Sequence, residues 1–141
     1  MTIKFGSFSE LEKDVRYIRD RVFVSEQGWG ADEVYDDADD SCVQLVAYDG
    51  ASPIGAARCT NDGGWHIGRV AVLKEFRGRQ IGVKIMRAIM DYIAANGGGE
   101  VQLHSQVERW GFYEKLGFSV CGKPYLHGTI EHVPMKFEYE L

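Results

Sequence analysis

Long apolar runs are missing from this chain: no stretch nears the roughly 20 apolar residues that a membrane helix needs. The opening MTIKFGSFSE has no basic segment followed by an apolar run, so no secretory leader is expected and cytoplasmic residence is. Cysteine is scarce. Cys42, Cys59 and Cys121 are odd in number and far apart, with no CxxC pair and no histidine at a zinc spacing. A disulfide framework and a metal site are therefore not expected, and the three read as reduced core or half-buried thiols in strand-like runs. A dense basic stripe is absent too. With a formal net charge of −5, little would neutralise nucleic-acid phosphates, and that partner is set aside.

What is present fits one ordinary domain spanning residues 1–141, with 45% hydrophobic and 26% charged residues. The acidity is uneven: Asp32, Glu33, Asp36, Asp37, Asp39 and Asp40 crowd into one short segment. Two readings stay open there, a solvated loop and an acidic rim that attracts a cationic amine.

Periodicity supplies a coarse map. Ile3 to Phe5 fits a short strand, and Ser9 with Glu12 fits a capping box. Leu11, Val15, Ile18 and Val22 then predict a helix from about residue 10 into the low twenties. Val43 to Tyr48, Ile54 to Thr60 and Trp65 to Leu73, separated by glycine-rich turns, predict an antiparallel meander. Ile81, Ile85, Met86, Ile89 and Ile93 share one helical face that Gly97 ends. A strand at Val101 to Ser105, a helix from about Val107 to Leu116 and an alternating strand through Val133, Met135, Phe137 and Tyr139 complete an α+β layout.

The most informative run is Gly68 to Val83, where a strand passes through a basic glycine-containing turn straight into a helix. Such a turn aims backbone N–H groups and the positive helix end at one point, an anion site. Arg77 and Arg79 add charge, while Gly78 and Gly82 let a bulky pyrophosphate approach the backbone. Neither a Walker A loop nor a GxGxxG turn is present.

Arg77-Gly78-Arg79-Gln80-Ile81-Gly82 resembles the acetyl-CoA signature of the GNAT N-acetyltransferases, Gln/Arg-x-x-Gly-x-Gly/Ala, with Gln80 in a glycine slot. A negative φ at Gln80 would keep its N–H facing the pyrophosphate; a positive one would strain it. The segment Gln106 to Phe118 is similar to the family's Asn-x-x-Ala-x-x-x-Tyr-x-x-x-Gly-Phe, matched at Tyr113, Gly117 and Phe118 and departing at Gln106 and Arg109. Val22 to Gly28, Tyr35 to Asp40, Leu103 to Gln106 and Gly128 to Met135 resemble the small bacterial GNAT proteins of the ElaA and YjcF type.

The resemblance implies the GNAT fold, a mixed, mostly antiparallel sheet flanked by helices, whose fourth and fifth strands splay to admit the pantetheine arm. It implies acetyl-CoA as cosubstrate, no metal, and an amine acceptor that is a small molecule or a protein. It assigns to the coenzyme Val70, Ala71 and Val72, then Arg77, Gly78, Arg79, Gln80, Ile81, Gly82 and Val83, and finally Gln106, Phe112 and Tyr113. An alkyl amine, with a pKa near ~10.4, must lose a proton before attacking a thioester. The tetrahedral oxyanion then needs an N–H donor, implied near Val70, and the departing thiolate an acid, implied as Tyr113. Glu26 and His104 are the candidate bases, with His132 behind them. A catalytically weak acyl-CoA sensor is the alternative, motivated by Gln80, Gln106 and Arg109; a kinase-like domain is disfavoured because no phosphate-transfer constellation follows the turn. A homodimer is compatible with the family, and no residue fixes an interface.

Overall fold

The computed structural model describes residues 1–139. Strand β1 (Thr2–Gly6) leads into α1 (Phe8–Arg19). The capping box lies two residues earlier than the sequence pattern suggested. Ser7 Oγ accepts from the Glu10 N–H at 3.2 Å while the Ser7 N–H donates to Glu10 Oε1 at 2.9 Å, an arrangement worth about 1 kcal/mol. Ser7 takes the cap because its extended backbone (φ −75°, ψ 165°) sits between β1 and the first helical residue.

The expected run of this helix into the low twenties is kept in a widened form, since Asp20–Glu26 continues it with π-type bonding. The acidic stretch that reads as a plain connection holds α2 (Ala31–Val34) and a 3₁₀ turn at Asp37–Ser41.

Strands β2 (Val43–Asp49), β3 (Ser52–Asn61) and β4 (Trp65–Val72) form the expected meander. Helix α3 (Ile81–Ala95), β5 (Glu100–Gln106), the short α4 (Trp110–Glu114) and β8 (Ile130–Glu138) follow. Two short strands, β6 (Ser119–Val120) and β7 (Tyr125–His127), both pair with β8. They have no legible pattern in the sequence.

The sheet order is β1-β2-β3-β4-β5-β8-β6, and among the described residues only β4 and β5 run parallel. Their pairing is confined to Trp65 with Val101 and His66 with Gln102, after which the strands part. This is the layout that the resemblance implies, with a splay between the fourth and fifth strands.

Each face of the sheet is covered differently. The apolar stripe of α3 (Ile81, Ile85, Met86, Ile89, Ile93) packs on Leu45, Ile67, Val101, Leu103, Val133 and Met135. On the other face, Ile18 and Val22 pack on Ala56, Ala71 and Leu73. Cys42 and Cys59 are buried, whereas Cys121, expected in the core or half-buried, is exposed beyond β6.

Candidate active site

The parting of β4 and β5 opens a cavity of about 620 Å³. Its walls come from the end of β4, the turn into α3, the end of β5, α4, residues 22–34, and His127 and His132. That volume falls in the ordinary range for a small-molecule site.

Strand β4 is irregular where it reaches this cavity. Ala56 pairs with Ala71 and Arg58 with Gly68, so Ala57 alone faces Arg69 and Val70. The result is a β-bulge, and Arg69 adopts a left-handed φ of 53° within it. Its side chain repays part of that strain by donating to the Val34 carbonyl at 2.9 Å and the Glu33 carbonyl at 3.2 Å. A bulge redirects backbone groups away from the ladder, and here it acts at Val70, the position expected to present an N–H to the reacting oxygen.

The turn ends at a bare helix start. No side chain caps α3, and its first intrahelical donor is the Lys84 N–H, bonded to the Gln80 carbonyl at 3.1 Å. The N–H groups of Ile81, Gly82 and Val83 are thus left for an anion, aided by the helix dipole. Gly78 needs its left-handed φ of 79° to turn the chain. At Gly82 the requirement is packing: a Cβ there would lie 3.2 Å from Phe112 Cζ on α4, so this glycine admits Phe112 as well as a ligand.

Three expectations about this end of the site are corrected. Gln80 has φ 64° and ψ 17°, not a negative φ, and carries the backbone strain that a glycine there would avoid. Arg77 is not a free positive charge. Its Nε donates to the Val72 carbonyl at 3.0 Å, and its two terminal nitrogens hold Glu26 at 2.5 and 2.8 Å. Glu26 is not an open proton acceptor: the Arg77 hydrogen bonds hold its carboxyl below the usual carboxylate range, and it does not line the cavity. Free cationic charge comes instead from Arg79, resting on the Phe76 ring at 5.3 Å, and from Arg109, which lines the cavity; neither has an ion pair among the described residues. Arg109, at the family's alanine slot, is a departure whose position in the cavity the sequence pattern did not convey.

Tyr113 lies on the α3 side of the sheet, edge-on to Phe112 at 5.0 Å and Phe118 at 6.3 Å. Tyr113 lines the cavity, its hydroxyl has no hydrogen-bond partner among the described residues, and burial pushes its pKa up to about 12. His104 and Gln106 point to the opposite face, as the alternation along β5 requires. His104 Nδ1 meets the Tyr125 hydroxyl at 2.6 Å. Burial, and then the neighbouring His66 and His132, lower its pKa.

On that same face, residues after α1 lie across the opening. Gln27 Oε1 accepts from Gln106 Nε2 at 2.8 Å and from Trp29 Nε1 at 3.1 Å. The Trp29 ring packs on His127 at 4.8 Å and His132 at 6.2 Å. Gln27 falls in the Val22 to Gly28 segment, where the resemblance assigns it no role; Gln106 on β5 holds it, while the pairing of β7 with β8 brings His127 against Trp29.

Part of the acidic segment is neither a solvated loop nor a free rim. Asp39 is 2% exposed and takes a bidentate pair of 2.9 Å bonds from Arg19, itself 1% exposed. Arg58 grips Asp36 at 2.7 and 3.0 Å and Asp39 at 2.9 Å. Burial raises the Asp39 pKa, but Arg19 and Arg58 outweigh it and bring it to about 2. Asp36 and Asp39 therefore anchor the segment to the sheet, while Asp32, Glu33, Asp37 and Asp40 stay exposed. Among the described residues no cluster of His, Cys, Asp and Glu could hold a metal ion, and no helix is long and apolar enough to cross a membrane.

Comparison with known proteins agrees with this geometry. Residues 20–139 match the family model of the acetyltransferase (GNAT) domain. The YjcF protein of Bacillus subtilis strain 168, an uncharacterized N-acetyltransferase, is 36% identical over 125 residues, covering 87% of this chain and 89% of that protein. The crystal structure of Escherichia coli ElaA superposes with a TM-score of 0.88 at 24% identity, over 98% of this chain and all of the other. An aminoglycoside 6'-N-acetyltransferase complexed with coenzyme A gives a TM-score of 0.72 at 16% identity, over 98% and 97% of the two chains. By its matched sequence, its bulged and splayed sheet and the bare start of α3, the chain belongs to the GNAT acetyltransferase family.

Proposed function

We propose that the protein moves an acetyl group from acetyl-CoA to a primary amine by direct attack within a ternary complex. The observation that carries this reading is the cavity itself. It joins an anion-receptive helix start at Ile81, Gly82 and Val83 to the bulge at Val70 and the hydroxyl of Tyr113. A coenzyme with its pyrophosphate over residues 77–83 would lay its pantetheine arm along Val70, Ala71 and Val72, on the edge of β4 that β5 no longer pairs. Gln106 and Phe112 would bound that arm from the other wall.

The roles then follow from chemistry. The amine nitrogen attacks the thioester carbonyl carbon, the Val70 N–H meets the developing oxyanion, and the C–S bond breaks. The Tyr113 phenol gives its proton to the departing sulfur. The phenol carries its proton throughout the neutral range, since burial only raises its pKa.

The acyl-CoA sensor remains as a second reading, favoured by one feature: Arg77 is neutralised by Glu26 rather than held for a phosphate. Coenzyme A should raise the melting temperature under either reading, because a ligand selective for the folded state stabilises it. Turnover separates the two. A panel of spermidine, glucosamine, lysine, phenylethylamine and a peptide with a free N-terminus, followed by release of free thiol, should reveal an acetylated amine. A protein that binds coenzyme A and acetylates none of these would be read as the sensor.

A further inference from the structure

The acetyl-transfer reading leaves the amine's proton without a destination, since Glu26 is held by Arg77 outside the cavity. We propose that His132 is the general base, taking that proton on Nε2. This rests on the acetyl-transfer reading and adds the acceptor half of the reaction to it.

The argument begins with the tautomer. His132 Nδ1 lies 2.9 Å from the Ile130 carbonyl oxygen, which can only accept. Nδ1 therefore carries a hydrogen, and in the neutral ring Nε2 is left with its lone pair. Among the described residues Nε2 has no hydrogen-bond partner and is not fully enclosed, and His132 itself lines the cavity. A nitrogen lone pair facing a reaction cavity, with its tautomer fixed by a second hydrogen bond, is how a base is held ready.

Position supports the role. Gln106 pairs with His132 across β5 and β8, so the imidazole shares a face with Gln106 and His104, opposite the α3 layer against which Tyr113 packs. Base and acid thus line one cavity from opposite faces of the sheet, on either side of the parted β4 and β5. The ring is 8% exposed and hemmed in by Tyr125, stacked at 5.8 Å, His127 at 5.7 Å and Trp29 at 6.2 Å. The titratable groups around it are Tyr125 and His127 on β7 and His104 on β5; no charged side chain hydrogen-bonds it. His104 is a weaker candidate because its Nδ1 meets a hydroxyl that can donate or accept, which leaves its tautomer unfixed.

The step balances. Nε2 removes one proton from the ammonium, and the exposed lone pair forms the C–N bond as the C–S bond breaks. Of the two hydrogens left on nitrogen, one reaches sulfur through Tyr113, and the imidazolium returns its proton to water.

The test is His132→Asn, whose amide can still donate to the Ile130 carbonyl while the Nε2 acceptor is gone. With the best-turned-over amine of the panel, kcat/KM near pH 7 should fall by roughly 10²- to 10⁴-fold, the scale of general acid–base catalysis. The loss should shrink at high pH, where free amine is abundant. The rise in melting temperature given by coenzyme A should be unchanged, and His104→Asn should keep the acid limb of the profile. Nitrogen-15 NMR of the wild-type imidazole gives a readout free of any folding defect. It should show, for the neutral ring, the hydrogen on Nδ1 and the bare lone pair on Nε2. A wild-type pH–rate curve in His132→Asn, or an Nε2–H tautomer, overturns the role alone. A protein inactive on every amine overturns the acetyl-transfer reading and this role with it.

Discussion

Replacing Gln80 with glycine should make the protein more stable. Gln80 stands at the N-cap of α3 with φ 64°, exposed, and with no hydrogen bond from its side chain. An L-residue in the left-handed region costs roughly 1–2 kcal/mol, from which the extra freedom of glycine in the unfolded chain takes back roughly 0.5–1 kcal/mol. The net gain lies within roughly 0–1.5 kcal/mol, centred at about 0.75 kcal/mol, or a rise of roughly 2–3 °C in melting temperature for a chain of this length. Urea denaturation followed by circular dichroism gives the free energy, and an unchanged slope with denaturant shows that only stability moved. Gln80→Val provides the opposite arm, since a β-branched side chain tolerates this φ worse and should lower the midpoint. Equal stabilities of the glycine and valine variants would refute the reasoning, because they would mean that the backbone at residue 80 is not left-handed in solution.

Tyr113→Phe should lower kcat by roughly 10²-fold while sparing the coenzyme-induced rise in melting temperature, measured by steady-state kinetics and thermal shift. Asp39→Asn leaves Arg19 buried without a counter-charge and should cost about 3–5 kcal/mol in chemical denaturation, the usual penalty for breaking a buried pair. Because Arg19 and Arg58 hold the Asp39 pKa at about 2, below its unfolded value, this stabilisation is complete above pH ~5 and lost as pH falls toward 2. A wild-type acid-denaturation profile for the variant would contradict this. Glu26→Gln should leave the acid limb of the pH–rate profile in place, since its carboxylate is held by Arg77 and does not line the cavity. Loss of that limb would return the role to Glu26.

Much of this was legible from spacing. The α3 stripe, the meander and the turn at residues 77–83 are local patterns, and each lies where periodicity and turn chemistry put it. What escaped depends on distant partners. The charge of Arg77 is cancelled by Glu26, 51 residues away, which no local pattern encodes. Likewise Asp36 and Asp39 look like a solvated acidic run until Arg19, Arg58 and Arg69 are folded against them. The left-handed Gln80 is different: its non-glycine identity argued for a negative φ, and the geometry of the turn overrode that local preference. His132 sat in a recognisable strand, but the direction of its ring depends on the Ile130 carbonyl two residues before it.

The two rungs between β4 and β5 also make the sheet a pair of plates joined along a seam. One plate is β1 to β4 with α1, the other β5 to β8, and α3 and the Gln27–Gln106 hydrogen bond bridge them. A ligand lying in the seam stitches backbone to backbone where the chain does not. Its binding free energy is then also a cohesion energy between the plates. Amides on both sides, along 68–72 and 103–106, would gain exchange protection together rather than one side at a time. In such a protein, a ligand bound along the seam would complete the sheet.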